Sequence, residues 1–368
     1  MAAPAAGTLP LDRLRAWLLG SGAGGALITD PVSIAYLAGF RAQPHERLFA
    51  LLVTEKASLL LVPDLERAAA REAAPELEVQ GYADGDDPFR LLAAALRGAG
   101  SVAVEKDHLS LSRAERLRDR LGQPALLDAG AEVRRLRAVK SRPELQLMEE
   151  AARLTDALLE NAMAEVGAGR TRAQVEEGVF AFLRSAGAEP AFAALVQSGP
   201  ETAFPHGAAG PLRAFARGDL ILLDLGAAWR GYAGDITRMA VVGEPDGRQE
   251  EVHAVVLAAH DAAVAAVRAG ITAGEVDAAA RAIIEAAGLG ERFVHRVGHG
   301  LGLEAHEHPS LEPGSRALLE AGMVVTVEPG VYLPGWGGVR IEDEVLVESD
   351  GARLLTSSSR RLRALPAS

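Results

Sequence analysis

The chain has 368 residues, 49% hydrophobic and 24% charged, which is ordinary for a globular protein, and its formal net charge is −12. That acidic balance argues against a nucleic-acid partner, which favours a basic surface. No cysteine is present, so disulfides, thiolate zinc sites and cysteine nucleophiles are excluded, and any metal must be held by His, Asp and Glu.

The opening residues Met1–Pro10 lack the basic and apolar regions of a secretory signal. No stretch approaches the roughly 20 apolar residues of a membrane span. A cytoplasmic location is therefore expected. Lys56, Lys106 and Lys140 are the only lysines, and this preference for arginine reads as compositional bias.

Leu11, Leu14, Leu18 and Leu19 recur at helical spacing and predict an amphipathic helix over 11–22. Short buried strands are expected at Ala26–Ile28, Leu48–Thr54, Ser58–Val62 and Val102–Glu105. Helices are expected at Asp64–Ala74, Pro88–Arg97 and Ser112–Leu121. This alternation predicts an α/β domain. Its first strand is not followed by a glycine-rich fingerprint, so no dinucleotide site is expected. Asp84-Gly-Asp-Asp87 resembles a calcium loop only superficially and reads as a solvated turn, because the closing glutamate is missing.

Ser141 and Glu144 form a capping box ahead of a long helix expected over Pro143–Val166. The domain boundary is placed just before it, giving an N-terminal domain 1–136 and a C-terminal domain 137–368. The second part repeats itself. Val166, Gly169, Thr171 and Val175 match Val267, Gly270, Thr272 and Val276 at an offset of 101. Gly218-Asp-Leu-Ile-Leu-Leu-Asp224-Leu-Gly226 matches Gly322-Met-Val-Val-Thr-Val-Glu328-Pro-Gly330 at an offset of 104. Two matched sets in order indicate a duplicated helix–helix–strand–strand unit. Leu220–Leu225 is expected to pair with Ile236–Val242, and Val324–Val327 with Val339–Val347.

The duplication places acids in equivalent positions. Asp224 ends one strand and Asp235 opens its partner; Glu328 ends the matching strand and Glu342 lies on its partner. Hairpin pairing is expected to bring each pair face to face. Carboxylates beside apolar runs are costly to bury, and four converging ones repel, so one or two divalent cations would relieve both problems. His295, His299, His306 and His308 crowd into one segment whose glycines, Gly298, Gly300 and Gly302, argue for extended chain rather than helix. His206 precedes Asp224 much as His306 precedes Glu328. His253 and His260 fall on a predicted helix and read as structural, His45 and His108 as surface residues.

The pieces Leu223-Asp-Leu-Gly226, Gly234-Asp-Ile-Thr237, Gly298-His-Gly-Leu-Gly302, Val327-Glu-Pro-Gly330 and Val339-Arg-Ile-Glu-Asp343 together resemble the pita-bread metallopeptidases. That group contains methionine aminopeptidase, aminopeptidase P and prolidase. The resemblance covers roughly residues 140–350, and the first domain resembles the creatinase-like N-terminal domain of the prolidase and aminopeptidase P branch. It implies an α+β C-terminal domain with internal pseudo-twofold symmetry, a homodimer, and proline-containing dipeptides or short peptides as substrates. It also implies two divalent metal ions. Asp224 would chelate one, Asp235 and Glu342 would bridge both, and His299 and Glu328 would complete the other. An oxygen-rich set with one imidazole suits Mn²⁺, with Co²⁺ or Zn²⁺ able to bind. Two ions about 3.5–4 Å apart would share a water and lower its pKa towards ~7.

The same resemblance gives Glu328 a role as proton shuttle and His206 and His306 the stabilisation of the tetrahedral intermediate. His295 would line the proline pocket, and Arg340 would orient ligands and substrate. A dipeptidase must recognise a carboxylate just beyond the proline, which suits an arginine fork. The segment Arg41-Ala-Gln-Pro-His-Glu-Arg47 is a candidate for that contact, from its own or a neighbouring subunit, because the aminopeptidase P sequences resembled here have a shorter connection. The expectation is a Xaa-Pro dipeptidase, with aminopeptidase P as the alternative. A non-catalytic binding module on this fold is disfavoured, because every ligand position is filled.

Overall fold

The computed structural model describes residues 9–207 and 213–367. The chain forms two compact units divided between Arg137 and Ala138.

In the first unit the elements run α1 (Pro10–Ser21), β1 (Ala26–Ile28), α2 (Pro31–Ala38), β2 (Ala50–Val53), β3 (Ser58–Pro63), α3 (Arg67–Ala73), β4 (Glu78–Tyr82), α4 (Pro88–Ala95), β5 (Ser101–Val104), α5 (Leu111–Leu121), β6 (Ala125–Asp128) and α6 (Gly130–Ala138). The six strands form one mixed sheet in the order β4-β3-β2-β1-β5-β6. Side chains alternate across it. Leu51, Val53, Leu60 and Val62 join Leu14, Leu18, Ile34 and Leu136 on one face. Leu52, Leu59 and Leu61 join Phe89, Leu92 and Leu117 on the other. Burial on both faces explains the continuous apolar runs. Asp30 opens α2 by accepting the N–H groups of Val32 and Ser33, with Pro31 at the first helical position, a start the sequence reading passed over. The Asp84–Asp87 turn is an ion-pairing corner: Asp84 binds Arg47, while Asp87 caps α4 and pairs with Arg116 and Arg120.

The second unit begins with α7 (Arg142–Glu165) and α8 (Arg172–Ala186), then β7 (Glu189–Pro190), β8 (Leu195–Ser198), β9 (Leu220–Leu225), β10 (Ala227–Trp229), β11 (Tyr232–Ala233) and β12 (Ile236–Val242). It continues with α9 (Gly247–Ala266), α10 (Ala273–Ala286), β13 (Gly298–Gly300), β14 (Glu307–Leu311), β15 (Val324–Val327), β16 (Gly330–Leu333), β17 (Gly337–Arg340), β18 (Asp343–Val347), β19 (Ala352–Leu354) and β20 (Arg363–Leu365). The duplication is visible in detail. Thr171 and Thr272 each open a helix with a capping box, and each makes an isolated bridge, to Ala214 and to Leu318. Gly169 and Gly270 donate to the carbonyls of Phe215 and Leu319. Helices α7 and α8 pack on β9 and β12, and α9 and α10 on β15 and β18.

The first expected pairing forms, Leu220–Leu225 with Ile236–Val242, and the second is corrected in part. The 339–347 strand is broken. Val339 and Arg340 belong to β17, which pairs with β16, whereas β18 starts at Asp343 and pairs with β15. Between them Glu342 bridges to Thr237, in the other repeat. The face-to-face placing of Asp224 and Asp235 is corrected as well, since Asp224 lies opposite Thr237 and Ile236 opposite Leu225. Asp235 therefore sits one step beyond the paired strands and is not directly across from Asp224.

Candidate metal centre

Asp224 is the penultimate residue of β9, Asp235 precedes β12, Glu328 follows β15 and Glu342 fills the break between β17 and β18. His299 comes from the middle of β13. The extended form expected of Gly298-His-Gly has a steric cause: a Cβ on Gly298 would lie 1.9 Å from the carbonyl oxygen of Thr326. Only glycine lets β13 approach β15 closely enough for His299 to reach the acids.

All nine residues singled out in the sequence, Asp224, Asp235, His299, Glu328, Glu342, His206, His295, His306 and Arg340, line one cavity of about 750 Å³. Donor atoms of Asp235, His299 and Glu342 lie within 4.8 Å of one another. Asp224 and Glu328 sit at the edge of this cluster. Arg340 donates to Asp224 Oδ2 at 2.5 Å, and His299 Nε2 lies 3.1 Å from Glu328 Oε1 and 4.0 Å from Asp235 Oδ2.

The donor set suits divalent cations. His299 Nδ1 lies 3.1 Å from the Gly300 carbonyl, which can only accept, so Nδ1 carries a hydrogen, and Nε2, turned towards Glu328 and Asp235, is the nitrogen that would meet a metal ion. Burial first, then the neighbouring carboxylates, pushes Asp235 and Glu342 well above the ordinary range. Burial also raises Asp224, against the pull of Arg340. Burial pushes Glu328 upward too, but the hydrogen bond and charge of His299, with His295 and Arg340, lower it to about 2. Four carboxylates, Asp235 and Glu342 buried and Asp224 and Glu328 partly so, face one guanidinium and one imidazole, an excess of acid groups that dications would neutralise.

Residues that sequence reasoning passed over complete the surroundings. Arg340 Nη1 donates to the Tyr332 hydroxyl at 2.9 Å, and that hydroxyl lies 2.9 Å from His295 Nε2. His295 Nδ1 lies 2.7 Å from the Arg296 carbonyl. Arginine only donates and a carbonyl only accepts, so Arg340 donates to Tyr332 and His295 Nδ1 donates to Arg296, and a neutral His295 takes the Tyr332 hydrogen at Nε2. Burial lowers the pKa of His295, which favours that neutral form. Partial burial of the otherwise exposed His306 lowers its pKa as well. Thr326 accepts the His299 N–H at 3.1 Å and donates to Glu328 at 3.4 Å. Thr237, quoted in the sequence only as part of a motif, donates to Glu342 at 2.6 Å. Tyr332 had one legible signal: it alternates with core Val331 on β16 and so leaves the apolar side of that strand.

Helix α9 buries His253 and His260, and His260 Nε2 lies 3.0 Å from Asp343. In the first unit, Arg47 donates to Asp84 at 2.8 and 3.1 Å. Among the described residues, no helix is long and apolar enough to cross a membrane.

The fold and this acid-and-histidine cavity define a metallopeptidase architecture. The model of metallopeptidase family M24 matches residues 146–349, and that of the creatinase/prolidase N-terminal domain matches residues 10–139. The chain belongs to metallopeptidase family M24. It is 38% identical over 352 residues to the putative dipeptidase YkvY of Bacillus subtilis, covering 94% of this chain and 97% of that one. The structure of a Xaa-Pro dipeptidase from Bacillus anthracis superposes with a TM-score of 0.90 at 34% identity, covering 97% and 99% of the two chains. That of an X-Pro aminopeptidase from Thermotoga maritima superposes with a TM-score of 0.83 at 31% identity, covering 94% and 98%.

Proposed function

We propose that the chain is a Xaa-Pro dipeptidase working with two divalent ions, Mn²⁺ foremost, held by Asp224, Asp235, His299, Glu328 and Glu342. The observation that carries this reading is the convergence of those five with His206, His295, His306 and Arg340 on one cavity. The cavity volume falls in the range that encloses a small ligand. Near full-length likeness to a Xaa-Pro dipeptidase supports the substrate class.

When bound, the ions activate the attacking water and polarise the scissile carbonyl. The protein's own groups do the rest. Glu328, ionised at neutral pH, accepts the proton of the attacking water and returns it to the departing proline nitrogen. His206 and His306 donate to the oxygen on which charge develops. Neutral His295, fixed by Tyr332, packs against the proline ring. Arg340 holds Asp224 and, through Tyr332, fixes His295 as well. A homodimer and a cytoplasmic location belong to the same reading, and light scattering and cell fractionation test them.

Aminopeptidase action on longer peptides is the second reading. It is favoured by the likeness to an X-Pro aminopeptidase and by the commitment of Arg47 to Asp84, which leaves Arg41 as the arginine of that segment still offered for a substrate carboxylate. A panel of Xaa-Pro and Xaa-Pro-Xaa peptides assayed with Mn²⁺, Co²⁺ and Zn²⁺ decides between them. Faster tripeptide cleavage selects the aminopeptidase. Absence of any chelator-sensitive hydrolysis selects a binding module.

A further inference from the structure

Lysine is scarce in this chain, and two of its three lysines, Lys56 and Lys106, are exposed. Lys140 is buried, with its side chain 1% exposed. Its ammonium stands 3.3 Å from Glu307 Oε2, and the Glu307 side chain is itself only 4% exposed. A buried ion pair is a poor source of stability, because desolvation consumes much of the Coulomb gain. Neither residue lines the cavity, so the pair has no direct part in the chemistry.

Its surroundings point elsewhere. The other Glu307 oxygen accepts the N–H of Leu303 at 2.9 Å and of Glu304 at 3.3 Å. A Cβ on Gly302 would fall 2.6 Å from Glu307 Oε2, so the last glycine of Gly298-His-Gly-Leu-Gly302 makes room for this carboxylate. Glu307 therefore fills the inside of the 302–306 loop. Lys140 is anchored in turn: its N–H donates to the Gly322 carbonyl at 2.9 Å, beside the Val139–Met323 bridge that leads into β15 and Glu328. His306, at the end of the loop, is exposed and meets His299 edge-on with ring centroids 4.3 Å apart. An exposed imidazole receives little guidance from packing, so its place is set by its main chain.

We infer that Lys140 and Glu307 form a positioning pair that fixes His306 over His299, tying its loop to the strand that carries Glu328. The inference rests on the reading of His306 as a donor to the reacting oxygen.

The test compares Lys140→Met, Glu307→Gln, His306→Ala and Lys140→Met/His306→Ala in the full chain loaded with Mn²⁺. Lys140→Met and Glu307→Gln should each lower kcat on a Xaa-Pro dipeptide by ~10–100-fold, the loss expected of a catalytic group moved by about 1 Å. KM and bound Mn²⁺ per chain should change little. In the His306→Ala background Lys140→Met should add nothing. Independently of substrate, the ¹⁵N resonances of the His306 ring should shift in Lys140→Met and Glu307→Gln while those of His253 stay. A full additional loss in the His306→Ala background, or unmoved His306 resonances, overturns the inference. If Lys140→Met does not fold, Glu307→Gln and its double variant with His306→Ala carry both arms. If the unmodified chain cleaves no Xaa-Pro peptide, the functional reading fails, and the resonances still decide the positioning.

Discussion

Thr237 and Glu342 come from opposite repeats and are joined twice. The Thr237 hydroxyl donates to Glu342 Oε2 at 2.6 Å, and the Glu342 N–H donates to the Thr237 carbonyl at 3.2 Å. The first repeat thus orients an acid of the second. Thr237→Val keeps the shape and removes the hydroxyl, which also serves Arg340 Nε at 3.2 Å. Mn²⁺ affinity should fall roughly 10-fold, at the mild end for an outer partner of a ligand. Calorimetric titration of Mn²⁺ measures it; unchanged affinity would remove Thr237 from ligand positioning.

Tyr332→Phe cuts the Arg340–Tyr332–His295 chain at its centre. His295 then loses the group that fixes its ring, while Arg340 keeps Asp224 and the Pro205 carbonyl. The expected result is a higher KM for Xaa-Pro dipeptides, with stability reduced by about 1–2 kcal/mol for the broken buried hydrogen bonds. Steady-state kinetics and urea unfolding report the two separately.

Without metal, Asp235 and Glu342 have folded-state pKa values raised above their unfolded values, by burial first and then by like charge. The native state therefore binds more protons than the unfolded chain at pH values above about 4. The stability they contribute is present at low pH and is lost as pH rises through the raised values. Glu328, lowered to about 2, acts in the opposite sense, and its stabilising part is lost only as pH falls. The melting temperature of chelator-treated protein should accordingly fall as pH rises above the ordinary carboxylate range. Mn²⁺ should flatten that slope, adding about 2.7 kcal/mol at a hundredfold excess over Kd. A metal-free protein whose stability rises with pH there would contradict the acid cluster.

Arg41 tests the dipeptidase reading from the first unit. Arg47 is held by Asp84, while Arg41 is exposed. If Arg41 meets the substrate carboxylate, Arg41→Ala raises KM for Xaa-Pro by about 10-fold or more, the worth of a charged hydrogen bond, and leaves Xaa-Pro-Xaa unchanged. Equal effects on both peptides would clear it of that role.

Much of this protein was legible in one dimension. The helix starts at Ser141, Thr171 and Thr272 are local chemistry, since a side-chain oxygen answers N–H groups within three residues. The repeat was legible because the same turns recur, with Gly218 and Gly322 both in the left-handed region. The four acids and His299 could be singled out because each sits in a short motif whose order along the chain is fixed.

What the sequence determined by itself was therefore which side chains could gather: the types, the spacing, and the two copies of one unit. Tertiary structure alone decided how they meet. Strand register placed Asp224 against Thr237 rather than Asp235, and the break at Glu342 handed that acid to a partner from the other repeat. The same holds for Tyr332, which joins two catalytic candidates, and for Lys140, which reaches a glutamate far along the chain. The physical reason is one of range. Capping and turn formation spend their energy within a few residues and leave a local signature. Register, burial and long-range hydrogen bonds are settled by packing against other segments, from 8 residues away for Tyr332 and Arg340 to 167 for Lys140 and Glu307.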